Sequence, residues 1–132
     1  MDTQKRIIIT EGIKVSVETF YQPEHSHPIA HQYVFSYHIT IENMSPYTVQ
    51  LMRRQWYIFD SNGLVREIEG EGVIGVQPIL DSGKVHQYTS WTQLFTDIGK
   101  MNGYFLFVRE VDGEMFKVLI PEFKLCTPFK LN

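Results

Sequence analysis

Cysteine is almost missing from this chain, since Cys126 is the single thiol among 132 residues. No internal disulfide can form, and nothing in the sequence requires an oxidising compartment. Long apolar runs are missing as well. The run Ile7-Ile8-Ile9 falls far short of the apolar core of a signal peptide, and no run approaches the ~20 apolar residues of a membrane span. We therefore expect a soluble, cytoplasmic protein that makes no membrane contact.

An excess of charge of one sign is also missing. The chain has 12 Lys and Arg against 15 Asp and Glu, and these residues are spread evenly. Such a balance gives no electrostatic footprint for DNA or RNA, so nucleic-acid binding is disfavoured. No internal repeat, low-complexity stretch or interior linker divides the sequence. We expect one domain over residues 1–132, long enough to bury roughly two-thirds of its unfolded surface.

Apolar residues recur at every second position through most of the chain. Ile13, Val15 and Val17 alternate with polar residues, and between Tyr33 and Ile41 the odd positions are apolar or aromatic. This alternation is typical of strands with one buried and one solvated face. About seven short strands follow one another in this way, separated by turn residues. The pattern predicts an all-β fold, an antiparallel sandwich of two sheets.

Turn and bulge signals set the limits of individual strands. The apolar positions change parity within residues 49–59, which indicates a bulge near Arg53-Arg54. Asp112-Gly113 is the strongest short hairpin signal in the sequence. Residues 92–102 lack a sustained period, and we expect them to form a surface connection.

The predicted core follows from the same alternation. On the last two long strands, positions 104, 106 and 108 are expected to face Phe116, Val118 and Ile120. The side chains that we expect to be buried are Tyr33, Phe35, Tyr37, Ile39, Trp56, Leu106, Phe116 and Val118.

Residues 70–75 spell a nucleotide-binding motif, Gly-Glu-Gly-Val-Ile-Gly, in a setting that contradicts it. A dinucleotide-binding glycine loop opens a helix whose amides hold the pyrophosphate, whereas Pro78 favours extended backbone just after this motif. We favour a structural interpretation in which the glycines allow tight turns. A backbone nest for phosphate or another small anion is the alternative.

An anion at this glycine segment would need cations beside it. Glu67, Glu69 and Glu71 crowd the approach, so a bound phosphate would require Arg54 or Arg66 to offset the repulsion. The candidate ligand-binding residues are therefore Gly70, Gly72, Gly75, Arg54 and Arg66.

Three histidines lie in a polar stretch between two predicted strands. His25 and His27 are two residues apart, so an extended chain would point both imidazoles to one side, with His31 close behind. Three imidazoles are a ligand set for a divalent cation. No cysteine joins them, and we favour solvated loop histidines and expect no cofactor.

No arrangement of side chains points to catalysis. Cys126 has no nucleophile motif around it, and Glu67 and Glu69 are spaced as on the solvated face of a strand. We expect no catalytic residue and no enzyme activity.

Aromatic residues make up 14% of the chain, and most of them fit the core of a sandwich. Trp91 lies near the end of a predicted strand instead. If its ring is exposed, it is a candidate anchor for a protein partner.

Several separate motifs are distributed along the chain. They are Tyr33-Val34-Phe35-Ser36-Tyr37, Ile41-Glu42-Asn43, Arg53-Arg54-Gln55-Trp56, the glycine segment followed by Val76-Gln77-Pro78, Tyr88-Thr89-Ser90 and Ile120-Pro121-Glu122-Phe123. In this order they resemble the ApaG family, and the resemblance runs over residues 13–129.

The resemblance implies an immunoglobulin-like or fibronectin type III-like sandwich, in agreement with the pattern of strands. It implies a non-catalytic binding or regulatory module that contacts another protein, and bacterial members are associated with cobalt resistance and magnesium efflux. The alternative is a sensor that binds pyrophosphate, nucleotide or a divalent cation at the glycine segment. The identity of the partner stays open, as does a homodimer.

Overall fold

The computed structural model describes residues 5–131, with side chains to residue 129, and its regular structure is almost entirely antiparallel strand. Three short 3-10 turns cover Pro23–His25, Pro28–Ala30 and Pro128–Leu131. The strands are β1 (Lys5–Thr10), β2 (Ile13–Tyr21), β3 (Tyr33–Asn43), β4 (Val49–Asp60), β5 (Val65–Glu71), β6 (Ile79–Leu80), β7 (Val85–Leu94), β8 (Ile98–Arg109) and β9 (Met115–Cys126).

Two sheets form the sandwich that the alternation predicts. The first sheet has the order β1-β2-β3-β7, and the second has the order β5-β4-β8-β9, with β6 paired to β4. The described residues contain nine strands, so the expectation of about seven was too low. The additional strands are β1, whose three consecutive isoleucines show no alternation, and β6, which is too short to carry a period.

The core lies between the inner faces of the two sheets. Buried side chains include the predicted Tyr33, Phe35, Tyr37, Ile39, Trp56 and Val118. The prediction for β8 was wrong, because Phe105 and Phe107 are the buried residues and Leu106 lies on the outer face, half-buried. Phe116 is also half-buried and packs against the rim of the core. Both faces of β8 carry apolar residues, so alternation could not select the inner one.

Residues 92–102 are not a surface connection. β7 continues to Leu94 and β8 begins at Ile98, with a bend of residues 95–97 between them. The buried carboxylate of Asp60 on β4 holds this bend, because it accepts hydrogen bonds from the backbone N–H of Phe95 (2.7 Å) and of Thr96 (3.2 Å). A contact between positions so far apart leaves no local period in the sequence.

The predicted bulge in β4 is confirmed. The register of β4 with β8 shifts between Leu51 and Arg53, so Met52 is the additional residue. Beyond the bulge, the inner face of β4 carries Arg54 together with the buried Trp56. The bulge therefore turns a charged side chain toward the space between the sheets.

The two sheets meet differently along their two sides. On one side β1 and β2 pack against β9, and the backbone N–H of Leu119 donates to the hydroxyl of Thr10 at 3.2 Å. On the other side the guanidinium of Arg66 on β5 donates to the carbonyl oxygen of Gln93 on β7 at 2.6 Å. β5 and β7 are consequently the edge strands of the more open side, where the glycine segment also lies.

Candidate functional site

The glycine segment forms a tight hairpin. Val73 and Val76 exchange backbone hydrogen bonds of 2.8 and 3.0 Å around a two-residue turn, in which Ile74 and Gly75 have φ values of 45° and 76°. Two positive φ values are the mark of a turn that suits the twist of a hairpin. No helix follows the turn, and the chain continues to β6. The segment lacks the helix N-terminus on which a dinucleotide loop depends.

Each of the other two glycines makes room for a specific neighbour. Gly72 has a φ of 61°, and a Cβ there would lie 2.1 Å from the carbonyl oxygen of Val76. A Cβ on Gly70 would lie 2.8 and 2.9 Å from the two terminal nitrogens of Arg54. The hairpin therefore requires a residue without a side chain at position 72, and the guanidinium of Arg54 requires one at position 70.

Arg54 binds the hairpin itself. Its Nη1 donates to the carbonyl oxygens of Glu71 at 2.9 Å and Gly72 at 3.0 Å. The backbone N–H of Gly72 donates to Met52 at 2.8 Å. Donors that a phosphate nest would use thus hold the hairpin against the bulge of β4.

The predicted ligand-binding residues are only partly brought together. Arg54, Gly70 and Gly72 are in contact, and Gly75 forms the adjacent turn. Arg66 lies toward the start of β5 and bonds to Asp60 and to the backbone of Gln93. The structure therefore separates Arg66 from Arg54 and the glycines.

A cluster of hydroxyls lies between the sheets near Arg54. Burial raises the pKa of the Tyr37 hydroxyl above its ordinary 10.0, although a hydrogen bond with Ser90 and the charge of Arg54 offset part of the rise. Burial raises the pKa of Tyr88 further, with the neighbouring Tyr37 adding to the effect and Arg54 opposing it. Within the part of the chain that the structure describes, the hydroxyl of Tyr88 is buried and has no hydrogen-bond partner. Both tyrosines are held as neutral phenols.

The three predicted metal-ligating histidines are placed in exposed turns. His25 closes the first 3-10 turn, His27 pairs with Gln32 in an isolated bridge, and His31 has a left-handed φ of 57° after the second turn. Among residues 5–131, no three His, Cys, Asp or Glu side chains are grouped so as to hold a metal ion. The histidines do not form the set of three that their spacing allowed.

Trp91 lies on the outer face of β7, where half of it is exposed (50%). It stands in one cross-strand row with Ser36 of β3 and Phe20 of β2, and Phe20 is 41% exposed. The ring of His25 meets the indole edge-on, with 5.2 Å between centroids. The row and the histidine form one surface, which we call the aromatic surface: Phe20, Ser36, Trp91 and His25.

Sequence reasoning missed two features. Asp60, a buried carboxylate, organises the end of β4 and occupies an inward position among apolar residues, which is the signal that could have revealed it. A depression of about 250 Å³ at the same end of the second sheet is lined by residues that include Phe59, Ile98, Lys100 and Lys124. These four residues come from the three strands β4, β8 and β9, so no local sequence motif could predict the depression.

Within residues 5–131, no helix is long and apolar enough to cross a membrane.

Known proteins resemble this chain over most of its length. Residues 23–109 match the family model for the ApaG domain. Proteins named ApaG from Brucella canis and Azotobacter vinelandii are each 46% identical over 120 residues, which cover 91% of this chain and 92% and 94% of theirs. A crystal structure of a Bordetella pertussis protein described as ApaA has a TM-score of 0.84 and 41% identity, covering 94% of this chain and 97% of that one.

Proposed function

This chain belongs to the ApaG domain family, and we propose that it is a non-catalytic binding module whose main contact is with another protein. The aromatic surface is the observation that carries this proposal. A tryptophan that is 50% exposed on a rigid strand presents a large apolar area at little cost in conformational entropy. Phe20 in the same row extends the area, so a partner could bury both rings together.

Isolated exposed apolar residues are common on proteins, so the argument depends on their arrangement. Trp91 and Phe20 are held by paired strands on either side of β3, and His25 braces the indole from the preceding loop. An anchor that is already ordered loses little entropy when a partner binds. The surface has the preorganisation that a binding site needs.

Photocrosslinking tests this assignment directly. A photoreactive phenylalanine analogue at position 20, which keeps Trp91 in place, is expected to capture a discrete partner in cells, and excess wild-type protein should compete with the capture. Trp91→Ala should fail to compete, because truncating a central aromatic anchor typically costs at least ~2 kcal/mol of binding. Val85→Ala is the matched control, since Val85 is 48% exposed on the same strand. Equal competition by both variants would remove the aromatic surface from the interaction.

The family association with cobalt resistance and magnesium efflux supplies a second readout for the same proposal. If the partner belongs to divalent-cation homeostasis, cells that lack this protein should grow poorly in cobalt. Wild type and Val85→Ala should restore growth, whereas Trp91→Ala should not. Full rescue by Trp91→Ala would separate the aromatic surface from that role.

A small-ligand sensor at the glycine segment is the second candidate, because Arg54 and the glycines lie together. Against it, Arg54 and the amide of Gly72 already donate to carbonyl oxygens of the protein. A thermal-shift series with pyrophosphate, nucleotides, Mg²⁺ and Co²⁺ decides the matter. A ligand that binds the folded state must raise the melting temperature as its concentration rises. We expect no such rise, and one that Arg54→Lys abolished would favour the sensor.

A further inference from the structure

The outer edge of β5 is an unpaired strand edge with a charge pattern of its own. β5 ends its sheet, and no strand of residues 5–131 pairs along its other side. It is exposed along most of its length, with Val65 at 53% and Ile68 at 44%. An edge of this kind is a template for an additional strand.

The register shows which backbone groups point away from β4. In an antiparallel ladder, hydrogen-bonded pairs alternate with non-hydrogen-bonded pairs. At one end the backbone N–H of Asp60 donates to the carbonyl oxygen of Leu64, and at the other the N–H of Gly72 donates to the carbonyl oxygen of Met52. Hydrogen-bonded pairs therefore fall on the even positions of β5, whose backbone groups bond to β4. The N–H and C=O groups of Val65, Glu67 and Glu69 therefore face the open side.

The side chains of the same odd positions make this edge acidic. Glu67, Glu69 and Glu71 are exposed on the outer face of β5. Arg53 lies opposite Glu71 in the ladder and offsets part of that charge, whereas Glu67 is opposite Tyr57 and Glu69 is opposite Gln55. Ile68 lies between Glu67 and Glu69 in sequence. Its side chain is on the inner face of β5 and offers an apolar contact there.

We propose that β5 is a docking edge for an extended segment of a partner protein in which basic and apolar residues alternate. The segment adds a strand to the second sheet through the open backbone groups of Val65, Glu67 and Glu69. Its Lys or Arg side chains lie beside the glutamates on the outer face, and its apolar side chains cover Ile68. This contact goes beyond the aromatic surface, which lies on the other sheet.

Charge complementarity selects this occupant over a second copy of the chain. Two β5 strands placed side by side would bring glutamates of one copy next to glutamates of the other, and like charges on neighbouring strands destabilise a pair. The same repulsion protects the edge from uncontrolled aggregation. A basic strand turns that repulsion into attraction.

A labelled short peptide that alternates lysine and valine is the probe, and its binding is followed by fluorescence anisotropy. Wild-type protein should bind it, and the affinity should fall as salt is raised because the charges are exposed. Backbone amide resonances of Val65, Glu67 and Glu69 should shift in NMR spectra. The same peptide with N-methylated valines should bind at least about tenfold more weakly, since it cannot donate to the strand edge.

Two variants separate backbone pairing from charge. Glu69→Pro removes an N–H that does not bond to β4, so the fold is retained while strand addition is blocked, and affinity should fall at least about tenfold. Glu69→Gln keeps the backbone and should weaken binding only a few-fold while flattening the salt dependence. Trp91→Ala should bind the peptide like wild type, which keeps this test independent of the proposed function.

Three results would overturn the proposal. Equal binding of the methylated and unmethylated peptides by wild type would reduce the contact to charge attraction, whatever the stability of Glu69→Pro. If the peptide does not bind even at low salt, β5 is not a docking edge, and its glutamates serve only to prevent aggregation at an unpaired strand. A concentration-dependent dimer that Glu69→Pro dissolves would assign the edge to a second copy.

Discussion

At the scale of single residues, the glycine segment shows three different uses of the same missing side chain. Gly70 leaves space for the guanidinium of Arg54, Gly72 lets the backbone approach Val76, and Gly75 takes a positive φ in open space. The sequence predicted that these positions serve backbone conformation. It could not show that Gly70 serves a side chain, because that side chain comes from the neighbouring strand.

Gly72→Ala tests the structural role of this segment. We expect a loss of about 1–3 kcal/mol in the free energy of unfolding, because alanine at a φ of 61° is strained and its Cβ would meet the carbonyl oxygen of Val76. Gly75→Ala is the matched control, with a similar φ and no atom of the described residues within 4 Å of the added carbon. Urea denaturation of both variants measures the difference, and equal midpoints would show that the close approach at Gly72 has no energetic weight.

At the scale of the element, β4 organises the second sheet at both of its ends. Near its start, the bulge at Met52 receives the glycine hairpin. At its end, Asp60 gathers the backbone of Phe95 and Thr96 and the guanidinium of Arg66. The sequence revealed the bulge through a change of parity but not the role of Asp60, since the two backbone N–H groups that it holds lie 35 and 36 residues further along the chain.

Asp60→Ala should destabilise the protein by about 3 kcal/mol, because two backbone N–H groups and the half-buried guanidinium of Arg66 lose a buried acceptor. Glu114→Ala is the control, since its ion pair with Arg109 spans 4.0 Å and the glutamate is 65% exposed. That change should alter stability by less than about 0.5 kcal/mol. Chemical denaturation measures both, and hydrogen exchange at Phe95 and Thr96 should accelerate in Asp60→Ala alone. An unaltered unfolding midpoint for Asp60→Ala would contradict this role of Asp60.

At the scale of the whole molecule, the sequence predicted the architecture and left the site largely open. Alternation along strands such as β3 reports which face is buried, so the two sheets and the hairpin at Asp112-Gly113 were accessible. The same reasoning chose the wrong face of β8, because apolar residues occupy both of its faces. Exposure of Trp91 and the open edge of β5 depend on which strands end each sheet, and strand order is not written in a local pattern.

The phenols between the sheets give the molecule an alkaline limit. Burial raises the pKa of Tyr88 in the folded state, so ionisation of this phenol costs no stability below pH ~10, and stability falls as pH rises from there toward the folded-state pKa. Within that window one such tyrosine costs about 1.4 kcal/mol of unfolding free energy per pH unit.

Tyr88→Phe should therefore reduce the fall in stability above pH ~10 and leave stability at neutral pH equal or higher by up to ~1 kcal/mol, since the lost hydroxyl has no hydrogen-bond partner among the described residues. Tyr47→Phe, at an exposed position, should keep the alkaline fall. Thermal unfolding between pH 7 and 11 compares them, and identical alkaline curves for Tyr88→Phe and wild type would show that this phenol ionises freely when folded.

The bulge at Met52 also determines which residues of β4 lie on its inner face and which on its outer face. Side chains alternate strictly along a strand, so removing the one additional residue would shift every position on one side of it to the opposite face. Either Arg54 and Trp56 would turn outward together, or Val49 and Leu51 would leave the core. β4 can therefore neither gain nor lose a residue here without exchanging the inner and outer faces of one half of the strand.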